Sequence, residues 1–190
     1  MGPTGDQLET QRLVIRRFTP DDSADVLELG RDKESSEGGK YDHPWPTSEE
    51  GCRGAVEFCS ANERFWAVCL KGSRRVIGLL ALSSTEEPGT MEVGHVFHTE
   101  FLDDDLDTEA LACIMNHAFS TLGCERIICQ NAEEWTGQLR PLRKLGLKVV
   151  DRGDGTDFFQ RDADGNPITF VGCRMATTRN EWLRLRGAQT

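Results

Sequence analysis

Between Thr90 and Leu147 the hydrophobic period of the chain changes repeatedly, and this alternation constrains the fold more than any other feature of the sequence. Met91–His98, MEVGHVFH, reads as a strand. Leu106–Leu122 then carries apolar residues at 106, 110, 111, 114, 115, 118, 119 and 122, the spacing of a helix that packs one face on a sheet. Gly123 is placed to end that helix, and Arg126–Gln130, RIICQ, reads as the next strand. Residues 134–145 are expected to be helical, with Pro141 marking an early kink or a late start, and Gly146 stops that helix before another strand begins at Leu147.

The flanks supply the remaining elements of one α/β (α+β) domain. Arg12–Phe18 alternates well enough for a first strand, and residues 1–10 before it are expected to be flexible. Thr19 offers an N-cap, with Pro20 at the first helical position and Asp21 and Asp22 in the first turn, for a helix reaching about Gly30. The aperiodic stretch Arg31–Pro46 holds the only tyrosine, Tyr41, with His43 and Trp45, and Thr47 with Glu50 makes a capping box for a helix to about Ala61. Phe65–Leu70 and Val76–Leu82 read as a hairpin joined by KGSRR. Near the end, DGNP turns a second hairpin and Thr178 caps a short helix through Trp182. The expected architecture is a mixed, mostly antiparallel twisted sheet of about seven strands with about four helices.

Charge excludes several partners. With 32 acids against 22 bases the net charge is -10, which disfavours nucleic acid and anionic membrane surfaces. No apolar run approaches the roughly 18 to 20 residues of a membrane span. The N-terminal MGPTGDQLET lacks the basic and apolar regions of a signal peptide, and Asp6 stands where myristoylation requires Ser or Thr. The 7 cysteines include no C-x-x-C pair and read as core thiols of a cytoplasmic protein, with no zinc site. Asp162, Asp164 and Asn166 have calcium-loop spacing, but Pro167 replaces the required glycine, so no metal is expected.

The segment MEVGHVFHTEFLDDDLDTEAL, the opening LETQRLVIRRFTPDD, the phrase LRKLGL and the closing FF…DADGNPITF…TRNEW together resemble the GNAT superfamily of N-acetyltransferases, closest to its RimJ/RimL-like, ribosomal-protein N-terminal branch. The resemblance implies acetyl-CoA as cosubstrate and a primary amine as acceptor, either a protein or peptide N-terminus or a small molecule. It also implies a central strand whose free backbone groups bind the pantetheine arm, a stretch Arg31–Pro46 on the acceptor side of the cleft, whose aromatic cluster either shapes an acceptor pocket or, through Trp45, anchors the loop onto the core, and a last hairpin that contributes to homodimers in this fold. By position Val96, Phe97 and His98 would flank the thioester arm, and Asp103, Asp104, Asp105, Leu106, Asp107 and Thr108 would occupy the phosphate turn at the helix start. Asn131 and Gly137 fall on a further cofactor-contacting motif, N-x-x-N-x-x-S, of which only the first amide is kept. Glu92, His95 and Glu134 are the candidate bases for deprotonating the amine.

Where the family has glycines, this chain has aspartates. One carboxylate ~5 Å from a phosphate charge repels it by about 0.8 kcal/mol at the dielectric of water and about 3 kcal/mol at an effective value of 20. Several of them amount to a few kcal/mol, roughly a hundredfold in affinity. A side-chain carboxylate of Asp103, Asp105 or Asp107 is therefore expected to take the anion site itself. The alternative reading is a catalytically silent GNAT-fold protein whose Asp-rich loop blocks acetyl-CoA and whose cleft binds another ligand or partner.

Overall fold

The computed structural model describes residues 7–187, with the side chains of 155–160 excepted. Eight strands form one sheet: β1 (Gln7–Glu9), β2 (Leu13–Arg16), β3 (Phe65–Leu70), β4 (Val76–Ser84), β5 (Thr90–Phe97), β6 (Arg126–Ala132), β7 (Lys148–Arg161) and β8 (Pro167–Thr178). Their order is β1-β2-β3-β4-β5-β6-β8-β7. Only β5 and β6 pair in parallel, linked by a helical crossover; all other neighbours are antiparallel. The mixed α/β fold expected from the sequence is the one found, with β1 as an added strand. Gln7–Glu9, placed by the sequence in a flexible end, pair with Val14–Arg16, while residues 1–6 lie outside those described.

Five α-helices cover the sheet: α1 (Ser23–Ser35), α2 (Glu49–Ser60), α3 (Leu106–Ser120), α4 (Thr136–Lys144) and α5 (Arg179–Gly187). On one face α3, α4 and Trp182 of α5 enclose the main core, which includes Leu13, Ile15, Ile77, Leu80, Val93, Phe97, Ile127 and Met175. Leu106, Ala110, Leu111, Ile114, Met115, Ala118 and Phe119 of α3 are buried there, as their spacing requires. Each large apolar side chain of that face contributes roughly 1.5–3 kcal/mol by leaving water. Leu122, expected to continue the stripe, is exposed, because α3 ends at Ser120 and Gly123 turns away with φ of 70°. On the other face α1 and α2 pack over a smaller cluster of Phe18, Val26, Cys52, Val56, Ala67 and Val76.

Local chemistry fixes the helix ends. Thr19 and Asp22 form a capping box before α1, and Arg16 grips both oxygens of the nearly buried Asp22 at 2.7 and 2.8 Å. That guanidinium, with the Thr19 N–H, outweighs the effect of burial and holds the Asp22 carboxyl below its ordinary value. α1 runs on to Ser35, past the expected stop at Gly30. Gly30 serves close approach instead, since a Cβ there would lie 2.5 Å from the Pro46 carbonyl oxygen. α2 is capped by Ser48, whose hydroxyl accepts from the Gly51 N–H at 3.2 Å, and not by Thr47. At α5 the Thr178 hydroxyl and the Glu181 carboxylate bond each other's backbone N–H, as a cap at Thr178 predicts, but the helix continues beyond Trp182. Asp162, of calcium-like spacing, instead accepts the N–H groups of Asp164 and Asn166 and closes the β7–β8 turn. No cluster able to hold a metal ion is found among the described residues. Nor is any helix among them long and apolar enough to cross a membrane.

Candidate functional site

β5 and β6 lie side by side only from Thr90↔Arg126 to Glu92↔Ile128; beyond this they part, β5 staying with β4 as far as Phe97 and β6 with β8 as far as Ala132. The His98 N–H donates to Ile77 of β4, so alternation turns the backbone groups of Val93, His95 and Phe97 toward the gap. Gln138 of α4 reaches into the opening and donates its side-chain N–H to the His95 carbonyl.

The turn after β5 delivers the chain to the start of α3. Asp105 there has φ of 56° and ψ of 23°, a left-handed conformation that glycine adopts more cheaply than aspartate. Among the described residues, no acceptor is bonded to the backbone N–H groups of Asp103, Asp104, Asp105, Leu106 and Asp107. These donors and the positive end of α3 make an anion-receptive site. Of the three carboxylates expected to fill it, only Asp107 takes a helix N–H, that of Thr108 at 2.6 Å. Asp105 turns to the Lys144 ammonium at 2.5 Å, and Asp103 bonds nothing among the described residues.

The acidic turn is thus partly neutralised by its surroundings. Lys144 pairs with Asp105, Arg140 lies 3.7 Å from Asp107, and Arg12 holds Glu109 at 2.7 Å while also donating to the Asp104 carbonyl. Asp103 and Asp104 remain exposed without an ion-pair partner among the described residues. The Lys144 hydrogen bond holds the Asp105 carboxyl below its ordinary value, whereas burial pushes the Asp107 carboxyl up. Asp105 and Lys144 also border a broad cleft of about 730 Å³ between α3 and α5.

At the far end of the gap is a smaller pocket of about 150 Å³, lined by Val96, Phe97, Leu102, Gly137 and Gln138 and by Lys33 and Glu37. The larger cleft contains no β5 residue, whereas the smaller pocket lies beside the end of β5 where the strand parts from β6. Its roof is a 3₁₀ turn at Glu37–Tyr41. Gly38 lies so close over Trp135 that a Cβ would come within 2.5 Å of the indole, and Tyr41 stacks on the same ring at 5.9 Å and meets Phe170 edge-on at 4.7 Å. Tyr41, His43 and Trp45, grouped by the sequence into one aromatic cluster, divide here. Tyr41 faces the roof contact, while His43 and Trp45 line a separate apolar pocket of about 270 Å³ between α1 and α2.

The three candidate bases do not converge. Glu92 and His95, an odd number apart on β5, face opposite sides of the sheet. Glu92 accepts from Gln130 at 3.1 Å on the more open face. His95 is buried on the α3 side, neither ring nitrogen has a partner among the described residues, and burial pushes its pKa down to about 4. Glu134 lies in the turn after β6 and accepts the Val171 N–H at 3.4 Å. Of the cofactor-contact candidates, Val96 and Phe97 meet Gly137 across the pocket. His98 sits just past β5, accepting the Glu100 N–H and lying 3.7 Å from Asp32. Asn131 is turned inside, donating to Cys129 Sγ at 3.1 Å, and the Leu106 side chain belongs to the core. Thr108 bonds Asp107 through both N–H and hydroxyl. The resemblance places the stretch Arg31–Pro46 on the acceptor side, but sequence reasoning singled out neither Lys33, Glu37 and Gly38 within it nor Trp135 and Gln138 beyond it; the adjacent glycines 38 and 39, a sign of close backbone approach, were a further signal.

Residues 12–148 match the model of the acetyltransferase (GNAT) domain. Among solved structures, a GNAT-family acetyltransferase from Bacillus anthracis is 22% identical with a TM-score of 0.77, over 92% of this chain and 99% of that one. Ribosomal-protein-S5-alanine acetyltransferase from Vibrio fischeri is 11% identical with a TM-score of 0.74, over 93% and 98% of the two chains. Mycobacterium smegmatis RimJ, in complex with CoA-disulfide, is 14% identical with a TM-score of 0.73, over 93% and 89%.

Proposed function

The chain belongs to the GNAT acetyltransferase family, and from that premise we propose that it transfers an acetyl group from acetyl-CoA to a primary amine held in the pocket beside Val96 and Phe97. The observation that carries this reading is the gap between β5 and β6 with the unpaired N–H groups of residues 103–107 at its end. Those N–H groups fit a phosphate-bearing donor, and Lys144, Arg140 and Arg12 offset three of the five acids around them, leaving Asp103 and Asp104 as the residual repulsion. The donor supplies the activated acyl group. The chain's own residues orient it along β5 and shelter the amine under the roof at Glu37–Tyr41.

An attacking amine must lose a proton. Two titratable side chains line the pocket, and Lys33 is engaged with neighbouring acceptors, so Glu37 is the carboxylate placed to take it. Glu92, Glu134 and the buried imidazole of His95 lie outside the pocket lining, with Glu92 the second choice. The 14% identity to RimJ supports the fold and leaves the RimJ/RimL branch, and with it a protein N-terminus as acceptor, as part of this proposal. Calorimetric titration with acetyl-CoA and thiol release in a panel of primary amines test it: binding with amine-dependent thiol release is expected, and neither at millimolar donor would overturn it.

Two observations favour a second reading, the silent protein. Gln138 already occupies the His95 carbonyl in the gap, and the turn at Asp105 retains a side chain where access to a phosphate is easiest without one. That reading gains if the natural protein binds no acetyl-CoA but Asp103→Gly with Asp105→Gly does.

A further inference from the structure

The roof of the small pocket is tied at both ends to one residue. Lys33, in the last turn of α1, is 2% exposed. Its carbonyl accepts the Ser36 N–H at 3.2 Å and the Ser36 hydroxyl at 2.8 Å, where the roof leaves α1. Its ammonium donates to the His43 carbonyl at 2.5 Å, where the roof ends, and to Glu34 at 2.8 Å, with Asp42 at 3.8 Å. Two of the ammonium's three donors are thus hydrogen-bonded, and the Asp42 carboxylate faces it as an ion pair. The same Glu34 oxygen accepts the Trp45 N–H at 2.9 Å, extending the tie past the roof. Between the two ends, Gly39 packs so tightly on α1 that a Cβ would lie 2.8 Å from the Glu34 carbonyl oxygen.

We infer that Lys33 is a positioning residue for the amine, stapling the roof over residues 36–43 and thereby fixing the size of the pocket. This rests on the transferase reading for its kinetic consequence and on the geometry alone for the staple. The ammonium serves this end because removing it takes the donor from the His43 carbonyl and the shared cation from Glu34 and Asp42, so the closed roof is preferred over an open one. Among the described residues Lys33 makes no hydrogen bond or ion pair to β5, β6 or residues 103–107, so its removal should change amine recognition and spare donor binding.

The test compares the natural chain with Lys33→Met, which keeps the length of the side chain and removes the charge. Glu34 and Asp42 are each 27% exposed at the side chain and can rehydrate, so the variant is expected to fold. Amide hydrogen exchange over 36–45 should quicken about tenfold with exchange in α3 unchanged, and KM for a small primary amine should rise about tenfold with kcat within about threefold and the acetyl-CoA Kd unaltered. Asp42→Asn, which leaves the ammonium its other two acceptors, should shift the same readouts less. Unchanged exchange over 36–45 in both variants, or faster exchange with an unchanged amine KM, would overturn the inference. If the natural protein acetylated no amine, the transferase reading would fall, while an exchange contrast confined to 36–45 would still support the staple.

Discussion

Lys144 seats its ammonium 2.5 Å from the carboxylate of Asp105, a residue that itself holds a left-handed backbone at the start of α3. The position asks for glycine conformationally, and the aspartate there occupies the cation that would otherwise face the anion site. Asp105→Gly should free Lys144 and relieve the backbone at once. Acetyl-CoA affinity is expected to rise about tenfold for the single variant and further with Asp103→Gly. Because these groups are exposed, the gain should shrink between 50 mM and 500 mM salt. Titration calorimetry at the two salt concentrations reads both effects, and an unchanged Kd at low salt would remove the acidic turn as the determinant of donor binding.

His95 gives a prediction about stability. An unpartnered imidazole in the core costs about 1–3 kcal/mol. Its folded pKa of about 4 lies below the ordinary 6.5, so between these values the unfolded chain binds more protons. The stability this group confers is therefore complete above 6.5 and lost as pH falls toward 4, by about 3 kcal/mol across the window. His95→Leu should raise stability at pH 7 by roughly 1 kcal/mol or more and flatten the fall in stability from pH 6.5 to pH 4 in urea melts. If the variant loses all turnover while keeping acetyl-CoA affinity, His95 has a chemical role that its burial argues against.

How far the sequence foretells this arrangement depends on which interaction fixes each residue. The helical spacing of Leu106–Phe119 and the glycines at 123 and 146 act locally, and the structure keeps them, with φ of 70° and 84° at the two glycines. Gly30 misleads for the opposite reason: its role is contact with Pro46, sixteen residues on, so a helix stop was the natural local reading. The acidic turn is legible as four aspartates but its charge balance is not. Arg12, Arg140 and Lys144 reach it from β2's approach and from α4, pairings that only the tertiary fold creates. The pocket roof was least visible, because Lys33, Gly38 and Trp135 acquire their meaning only when α1 and α4 face each other across the end of β5.

Asp107 should titrate in the sense opposite to Asp22, Asp105 and Glu109. Burial raises its folded pKa above the ordinary 3.8, so at pH between the two values the native state holds the extra proton. Its contribution to stability is largest below 3.8 and falls as pH rises through the raised folded pKa. Asp107→Asn keeps an oxygen for the Thr108 N–H and removes the charge. The variant should melt higher than the natural protein at pH 7, with the difference shrinking toward pH 4. A constant difference across that range would mean that the Arg140 contact, 3.7 Å away, governs Asp107 instead of its burial.

Gln138 tests whether the gap in the sheet is reserved for a donor. Its side chain now satisfies the His95 carbonyl, and a pantetheine amide competing for that oxygen must first displace it. Gln138→Ala should lower the acetyl-CoA Kd about three- to tenfold, a gain of roughly 1 kcal/mol, and slightly reduce the melting temperature of the unliganded protein. Weaker donor binding in the variant would show instead that the glutamine is itself a donor contact.

The choice of base can be decided by two matched substitutions. Glu37 lines the pocket and among the described residues is tethered only by Lys40 at 3.4 Å, so its carboxylate can approach an amine beside Val96. Glu92 lies nearer the closed end of the gap, beside Gln130. Glu37→Gln preserves size and polarity while abolishing proton acceptance, and should lower kcat about 10²- to 10⁴-fold, with the acetyl-CoA Kd changed less than twofold. Glu92→Gln, which can still bond Gln130, should leave kcat within about threefold. The reverse outcome, collapse in Glu92→Gln and tolerance in Glu37→Gln, would move the chemistry out of the roofed pocket to the open face of β5, and the 150 Å³ pocket would then limit which amines enter without supplying the base.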